Sequence, residues 1–380
     1  MKEKGNFYRN SVGCKIRKLL FCSKFSFVSQ KIFSFSSQFK VQISNLFKIM
    51  MAQSKVVSIY EENENKIFPK LILPSSSFQS SIKESIINTR IYAHSELPKI
   101  TIPNNETENS MNIKVINMDC LEAHRIKIKE ELKDDNGVLL VMGSDLKAGG
   151  GYDRQKTAQE EQICNKTILY HCLNDYERNK VILSNNNKAK KQKWYPLKPD
   201  DIIYTPKALV FRNVNNELLD EKEYYNCSFI TCCAIRRPEL DESGDYMYYE
   251  KDAKLMKEKW KAILRLAHLH KHKNVILSGL GNGVFACPPV HVAELLYDLV
   301  YNDPEFNQAF DNIFIAIIDP YLKTQNFKVY SEIFNKKEKE EKESTKEEEE
   351  PKEEKFSLSK SQRRRLRKLK LEEQEKNLTS

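Results

Sequence analysis

Short apolar runs rich in β-branched residues alternate with longer stretches in which apolar residues recur every three or four positions, mainly from residue 111 onward. The short runs predict β-strands and the longer stretches predict helices. The predicted strands are Asn112–Asn117, Gly137–Gly143, Ala208–Asn213, Cys227–Ile235, Asn274–Gly279 and Asn312–Ile318. The predicted helices are Ser81–Ala93, Leu121–Leu132, Ala158–Leu173, Ala253–His270 and Val290–Val300. This alternation predicts an α/β fold, and strands that are apolar on both sides predict helices on both faces of the sheet.

The composition divides the 380 residues into four segments. Residues 1–50 form a basic extension rich in Ser and Phe, and residues 51–110 form a lead-in with little periodicity. The predicted domain spans 111–334, where strands and helices alternate. Residues 335–380 form a charged tail, in which a run of mixed Lys and Glu precedes the basic sequence RRRLRKLK. The domain is therefore expected to be flanked by disordered or helical extensions.

The net charge of +9 originates in the first fifty residues, which hold ten Lys and Arg against one acid, Glu3. The remaining 330 residues are formally neutral. A neutral domain lacks the overall electrostatic footprint of a nucleic-acid-binding protein. Nucleic acid is therefore expected as a partner only through the basic part of the tail, and the alternative interpretation of that part is an exposed charged end.

Three interpretations of the first fifty residues remain open: a mitochondrial presequence, a disordered extension, or upstream sequence ahead of a start at Met50 or Met51. The nine cysteines have no metal-binding spacing, and several lie in apolar runs. This pattern predicts buried free thiols in a reducing compartment. No apolar run reaches the ~18 residues that a membrane-spanning helix needs. We therefore expect no membrane partner and a cytoplasmic or nuclear location, or a mitochondrial one if residues 1–50 are a presequence.

The sequence AGGGYDRQKTAQEEQ, residues 148–162, follows a predicted strand and enters a predicted helix. Glycines permit positive φ and close approach of a ligand to the backbone, and amides beside a helix N-terminus suit a phosphate. The triplet Gly149-Gly150-Gly151 is thus either a flexible turn or a ligand-binding loop.

Two adjacent glutamates follow the triplet, and neighbouring helical residues point about 100° apart. Glu160 fits a capping box with Thr157, which would be a structural role. Glu161 lies one residue beyond the box and has no routine structural duty. In an apolar cleft, burial would raise the pKa of Glu161 and make it a general acid.

A second glycine loop follows the predicted strand at 274–279 and contains Gly281, Asn282 and Gly283. Pro288 and Pro289 then prepare a helix start. The loop is neither a Rossmann fingerprint nor a Walker loop, but it can cradle a second phosphate. Phe285, just beyond the glycines, lies either against a ribose or in the core. Two phosphate loops beside an acid indicate a diphosphate ligand with a bond to be cleaved, and ADP-ribose is such a ligand.

Six segments together resemble the catalytic domain of microbial-type poly(ADP-ribose) glycohydrolases, which are macrodomain proteins. The triplet followed by Gln-Glu-Glu resembles the family signature. The other similar segments are KVINMDCLEA at 114–123, EEQICNKTILYHCL at 160–173, YTPKALVFR at 204–212, GLGNGVFACPPVHVAE at 279–294 and NIFIAIID at 312–319. The resemblance extends over about 111–332. It implies a three-layer α/β/α macrodomain with a mixed, mostly parallel sheet.

The resemblance also implies roles for individual residues. Asp119 would contact the adenine, and Glu160 would hold ribose hydroxyls. Glu161 would protonate the leaving oxygen and then deprotonate the attacking water, so that no metal and no cofactor are expected. Further ligand contacts are expected from Gly149, Gly150, Gly151, Gln159, Gly281, Asn282, Gly283, Val284 and Phe285. The expected partners are ADP-ribose or its polymer and ADP-ribosylated proteins.

The sequence departs from the family where Val141-Met142-Gly143-Ser144-Asp145 replaces an Asn-Phe-Ala-Asn-like run, so the ribose-binding amide is lost or replaced by Ser144 or Asp145. Ala148 stands where a Pro is usual. Two alternatives to the hydrolase therefore remain: a module that binds ADP-ribose with little or no hydrolysis, and a scaffold that acts through its charged tail. The alternating His268, His270 and His272 are interpreted as a solvated face rather than a metal site.

Overall fold

The computed structural model describes residues 59–102, 111–154, 156–319 and 324–335. The predictions for residues 1–50 and for 336–380 lie outside the described residues. Within the described residues, no helix is both long and apolar enough to cross a membrane.

Seven strands of the described residues form one sheet in the order β1-β4-β5-β3-β6-β7-β2. The strands are β1 Arg90–Ala93, β2 Asn112–Ile116, β3 Val138–Met142, β4 Asp201–Val210, β5 Tyr225–Cys232, β6 Asn274–Leu277 and β7 Asn312–Ala316. The five strands from β5 to β2 run parallel, whereas β4 runs antiparallel to both β1 and β5. The expected mixed, mostly parallel sheet is confirmed.

Helices cover both faces of this sheet. They are α1 Phe68–Leu71, α2 Gln79–Asn88, α3 Cys120–Ala123, α4 Gln159–Lys166, α5 Leu169–Leu173, α6 Asp175–Asn185, α7 Glu250–Leu269 and α8 Pro289–Asn302. Helix α3 continues as a π-helix over His124–Glu131, and residues 326–335 are also helical. Pro289 occupies the first turn of α8, as its fixed φ favours.

The core is divided by the sheet, because successive side chains of a strand point to opposite faces. In β3, Val138 and Leu140 pack with α7 and α8, whereas Leu139 and Val141 pack with α2, α4 and α5. The inner strands β3, β5, β6 and β7 are therefore buried on both sides, whereas the edge strands β1 and β2 are partly exposed. The three-layer α/β/α arrangement predicted from the sequence is confirmed.

Several predicted boundaries were wrong. The predicted helix Ser81–Ala93 ends at Asn88, and its last residues form the edge strand β1 instead. The lead-in thus contributes a strand to the sheet, while the predicted segment boundaries themselves stay a prediction. The predicted helix Ala158–Leu173 is two helices, α4 and α5, because Thr167 leaves the helix to bridge Val210 of β4.

Candidate active site

Both glycine loops lie at the carboxyl edge of the parallel strands. The triplet loop follows β3 and the second glycine loop follows β6, and these two strands are hydrogen-bonded neighbours. From β3 the chain continues to β4 on one side of the sheet, and from β6 it continues to β7 on the other side. The two loops therefore lie at a switch in strand order. In open α/β sheets, ligands bind outside the carboxyl ends of the strands at such a point.

The triplet adopts a backbone shape that needs glycine. Gly149 and Gly150 have φ values of +67° and +55°. A Cβ on Gly150 would lie 2.7 Å from Oε1 of Glu161 and 2.9 Å from Oε2 of Glu160. Both glutamates can approach the loop this closely because Gly150 has no side chain.

The amides of the triplet bind the protein itself. Gly149 N donates to Oε1 of Glu160 at 3.0 Å, and Gly151 N donates to Oε1 of Glu161 at 2.7 Å. Gly150 N donates to the carbonyl oxygen of Lys147 at 3.2 Å. All three amides of the triplet are therefore engaged within the protein, and the predicted contacts of the triplet with a ligand stay a prediction. The loop positions two carboxylates.

Helix α4 begins at Gln159, with Ala158 as its N-cap and no side-chain cap. The predicted capping box of Thr157 and Glu160 is wrong, because the carboxylate of Glu160 is bound elsewhere. Its Oε2 accepts from the amide of Ser144 at 2.8 Å, so both of its oxygens are held by backbone amides.

Gln159 ties α4 to the end of β3. Its Oε1 accepts from Met142 N at 2.7 Å, and its Nε2 donates to the carbonyl oxygen of Leu140 at 2.9 Å and to Sγ of Cys120 at 3.3 Å. The side-chain amide is thus engaged with β3 and α3. The predicted contact of Gln159 with the ligand stays a prediction.

Both glutamates are buried, Glu160 to 3 % and Glu161 to 7 % exposure. Burial raises the pKa of Glu160 to about 8, and the charge of Glu161 acts in the same direction, whereas the two backbone amides lower it. The sequence did not predict this raised pKa at Glu160, for which a capping box or a contact with ribose hydroxyls was expected.

Asp119 follows β2, three strands from β3, and caps helix α3. Its Oδ1 accepts from the amides of Leu121 at 2.9 Å and Glu122 at 3.1 Å. It also lines a cleft of ≈ 480 Å³ together with Arg125 and Tyr225. The predicted contact with adenine stays a prediction.

In the second glycine loop, Gly281 has φ +81°, and a Cβ there would meet Sγ of Cys287 at 2.6 Å and Cβ of Ala234 at 2.7 Å. The side chain of Asn282 points into the fold. Its Oδ1 accepts from the hydroxyl of Tyr330 at 2.9 Å, and its Nδ2 donates to the carbonyl oxygen of Cys287 at 3.1 Å. Asn282 therefore fixes the shape of the loop, and its predicted contact with the ligand stays a prediction.

The tip of the same loop is open. Gly283 and Val284 are exposed, and Phe285 is half-buried. Within the part of the chain that the structure describes, the amides of these three residues donate no hydrogen bond. Three consecutive free N–H groups are suited to an anion. The second glycine loop thus keeps the character of the predicted phosphate cradle.

Phe285 lies under a guanidinium that the sequence reasoning missed. The guanidinium carbon of Arg236 is 4.2 Å from the ring centroid of Phe285, and Arg236 also forms an ion pair with Asp145. The signal in the sequence is the position of Arg236, immediately after the apolar run of β5 at the carboxyl edge of the sheet.

The lead-in packs behind the triplet, which the sequence did not indicate. Glu64 lies 3.3 Å from Nε2 of His171 and accepts from the hydroxyl of Tyr152 at 3.3 Å. Asn63 donates to the same hydroxyl at 3.1 Å and to the carbonyl oxygen of Asn165 at 2.8 Å. The lead-in thus gives His171 an acidic partner.

The histidines near the end of α7 are not a solvated face. His272 is buried and its Nε2 lies 2.9 Å from the hydroxyl of Tyr204, and the ring of His270 stacks on Tyr204 at 3.5 Å between centroids. Among the described residues, no group of three His, Cys, Asp or Glu could hold a metal ion. The described cysteines are buried and free, as predicted.

Comparison with known proteins relates this arrangement to one family. Residues 74–213 match the family model of the microbial-type PARG catalytic domain. A search of curated proteins found no match. The matched segment begins inside the predicted lead-in and includes the triplet and both glutamates.

Solved structures share the fold. Poly(ADP-ribose) glycohydrolase (PARG) from Thermomonospora curvata is 20 % identical, with 74 % of this chain and 99 % of that chain covered and a TM-score of 0.57. The same protein bound to the inhibitor ADP-HPD is 21 % identical, with 73 % of this chain and 99 % of that chain covered and a TM-score of 0.56. PARG from Deinococcus radiodurans in complex with ADP-ribose is 18 % identical, with 69 % of this chain and 98 % of that chain covered and a TM-score of 0.50. The match of residues 74–213 to the family model confirms the resemblance seen in the sequence, and the solved structures confirm the fold.

Proposed function

We propose that this protein is a poly(ADP-ribose) glycohydrolase that hydrolyses the O-glycosidic ribose–ribose bond of ADP-ribose polymers or of ADP-ribose conjugates. The observation that carries the proposal is the pair of buried, adjacent glutamates held by the amides of Gly149 and Gly151 at the carboxyl edge of the sheet. Fixed carboxylates beside an anion-binding loop are suited to cleavage of a sugar bond next to a diphosphate.

The hydrogen bonds distinguish the two carboxylates. Both oxygens of Glu160 are held by amides, whereas Glu161 accepts through Oε1 alone among the described residues. Oε2 of Glu161 is therefore the oxygen that can give a proton to the leaving group and take one from water. Glu160, fixed at both oxygens, is suited to holding ribose hydroxyls. In this mechanism, an oxocarbenium ion forms at the anomeric carbon while Glu161 protonates the departing oxygen.

The full chain should release ADP-ribose from automodified poly(ADP-ribosyl)ated protein, and Glu161→Gln should lower that rate by ~10²-fold or more. ADP-ribose binding, measured by calorimetry, should persist in the variant, because Gln can still accept from Gly151 N. Glu84→Gln on helix α2, an exposed glutamate, is the matched control and should keep full activity. A parent rate equal to that of Glu161→Gln would remove the general-acid role.

A binding module with little hydrolysis is the second candidate, and the end of β3 favours it. Of the two residues that could replace the lost ribose-binding amide, Ser144 accepts through Oγ from Leu146 N at 3.2 Å, and Asp145 pairs with Arg236. Both are thus engaged within the protein. ADP-ribose binding without release from polymer or from mono-ADP-ribosylated protein would make this the function.

A further inference from the structure

The segment after β5 is joined to the second glycine loop through its backbone. Arg237 N donates to the carbonyl oxygen of Phe285 at 2.7 Å, and Sγ of Cys287 donates to that of Ile235 at 3.0 Å. Ala234 packs so closely against Gly281 that a Cβ would lie 2.7 Å from it. Arg236 is therefore held next to the three free amides at the tip of the loop.

The guanidinium of Arg236 lies over Phe285 and pairs with Asp145, which follows β3. The Arg236 and Asp145 side chains are 42 % and 31 % exposed. An ion pair this exposed contributes little to folding stability, and its partners can exchange at low cost. Stacking on Phe285 keeps the guanidinium over the loop when Asp145 is released.

Carboxylates lie close to the place where a diphosphate would enter. Glu161 and Asp145 are at the same edge of the sheet, and Lys147 on the triplet loop is paired with Asp153. The free loop amides donate hydrogen bonds but carry no net charge. A guanidinium carries a full positive charge and can donate two hydrogen bonds to a phosphate at once, so it binds phosphate more strongly than neutral donors do.

We propose that Arg236 is a further ligand-binding residue. When the ligand binds, Arg236 breaks its ion pair with Asp145 and contacts the diphosphate, which is held at the amides of Gly283, Val284 and Phe285. The proposal rests on the proposed function, since it assigns the cation of the same ligand site. Asp145 then competes with the ligand for Arg236, so Arg236 strengthens ligand binding whereas Asp145 weakens it.

The test measures binding of ADP-ribose, ADP and adenosine to the full chain by calorimetry. Arg236→Gln should weaken ADP-ribose and ADP binding by about tenfold or more, with a shallower salt dependence, and leave adenosine binding unchanged. Arg236→Lys should restore part of the affinity. Asp145→Asn should strengthen ADP-ribose binding or leave it unchanged. Arg237→Gln, which removes the neighbouring exposed arginine, is the matched control and should bind as the parent does.

If the ion pair only stabilised the loop, Arg236→Gln and Asp145→Asn would weaken ligand binding equally, because the loss of either partner breaks the pair. Equal weakening by Arg236→Gln and Asp145→Asn, or full affinity in Arg236→Gln, would overturn the proposal while leaving the hydrolase intact. Absence of ADP-ribose binding by the parent would overturn both, and this outcome is distinguishable because it needs no variant. Thermal unfolding of each variant checks that affinity and not folding has changed.

Discussion

At the scale of single residues, the triplet and the glutamates work as one unit. The sequence places them ten residues apart, and the glycine amides and carboxylates meet because helix α4 turns back over the loop. Composition and spacing predicted that Glu160 and Glu161 would differ. They did not predict the side-chain directions of Gln159 and Asn282, whose partners are the β3 backbone and Tyr330, distant in the chain.

Gly150→Ala should abolish most hydrolysis, by about 10²-fold, because its Cβ would lie 2.7 Å from Oε1 of Glu161 and displace that carboxylate. Alanine at φ +55° also costs about 1 kcal/mol of folding stability. Gly244→Ala is the control: Gly244 has φ +78° and nothing within 4 Å of a Cβ, so it carries the backbone cost alone. Kinetics and chemical unfolding of both variants separate the two effects. Equal loss of activity in both would contradict the positional role of Gly150.

At the scale of elements, the sequence located the strands that are apolar on both faces and misjudged those whose limits depend on neighbours. Among the described strands, β1 has only four residues and pairs with β4, so its short run of three apolar residues fitted a helix as well. The break between α4 and α5 arises from the bridge of Thr167 to Val210, a contact 43 residues apart in the chain. Helical periodicity alone continues across that break.

The helical residues 326–335 support the second glycine loop through the Tyr330 hydroxyl, which donates to Oδ1 of Asn282. Tyr330→Phe should leave that acceptor unpaired, lower the free energy of unfolding by about 1 kcal/mol and weaken ADP-ribose binding several-fold. Phe334→Leu, which changes the packing against Tyr330 but keeps the hydroxyl, should lower stability without lowering affinity. Calorimetric affinities compared with thermal midpoints test this. Unchanged affinity in Tyr330→Phe would show that the loop keeps its shape without the bond.

At the scale of the whole molecule, buried titratable groups set the pH range in which the fold is stable. Burial, reinforced by the charge of Lys129, lowers the pKa of His124 to about 4, and burial likewise lowers the pKa of His94 and of His270 to about 4. Glu160 acts in the opposite direction, since its pKa is raised to about 8. Its contribution is complete below the usual glutamate pKa and is lost as the pH rises through 8.

The histidine contribution is present above the unfolded pKa of about 6.5 and is lost as the pH falls toward 4, because the unfolded chain takes up the protons first. For His124, which is 2 % exposed, the shift corresponds to roughly 3 kcal/mol. The free energy of unfolding should therefore fall on both sides of a maximum near pH 6.5. His124→Gln should make the acid side less steep without abolishing its slope, because His94 and His270 remain, and should leave the alkaline side, which depends on Glu160, unchanged. Urea unfolding from pH 4 to 9 measures both slopes. An acid slope that His124→Gln leaves intact would assign it to groups other than this histidine.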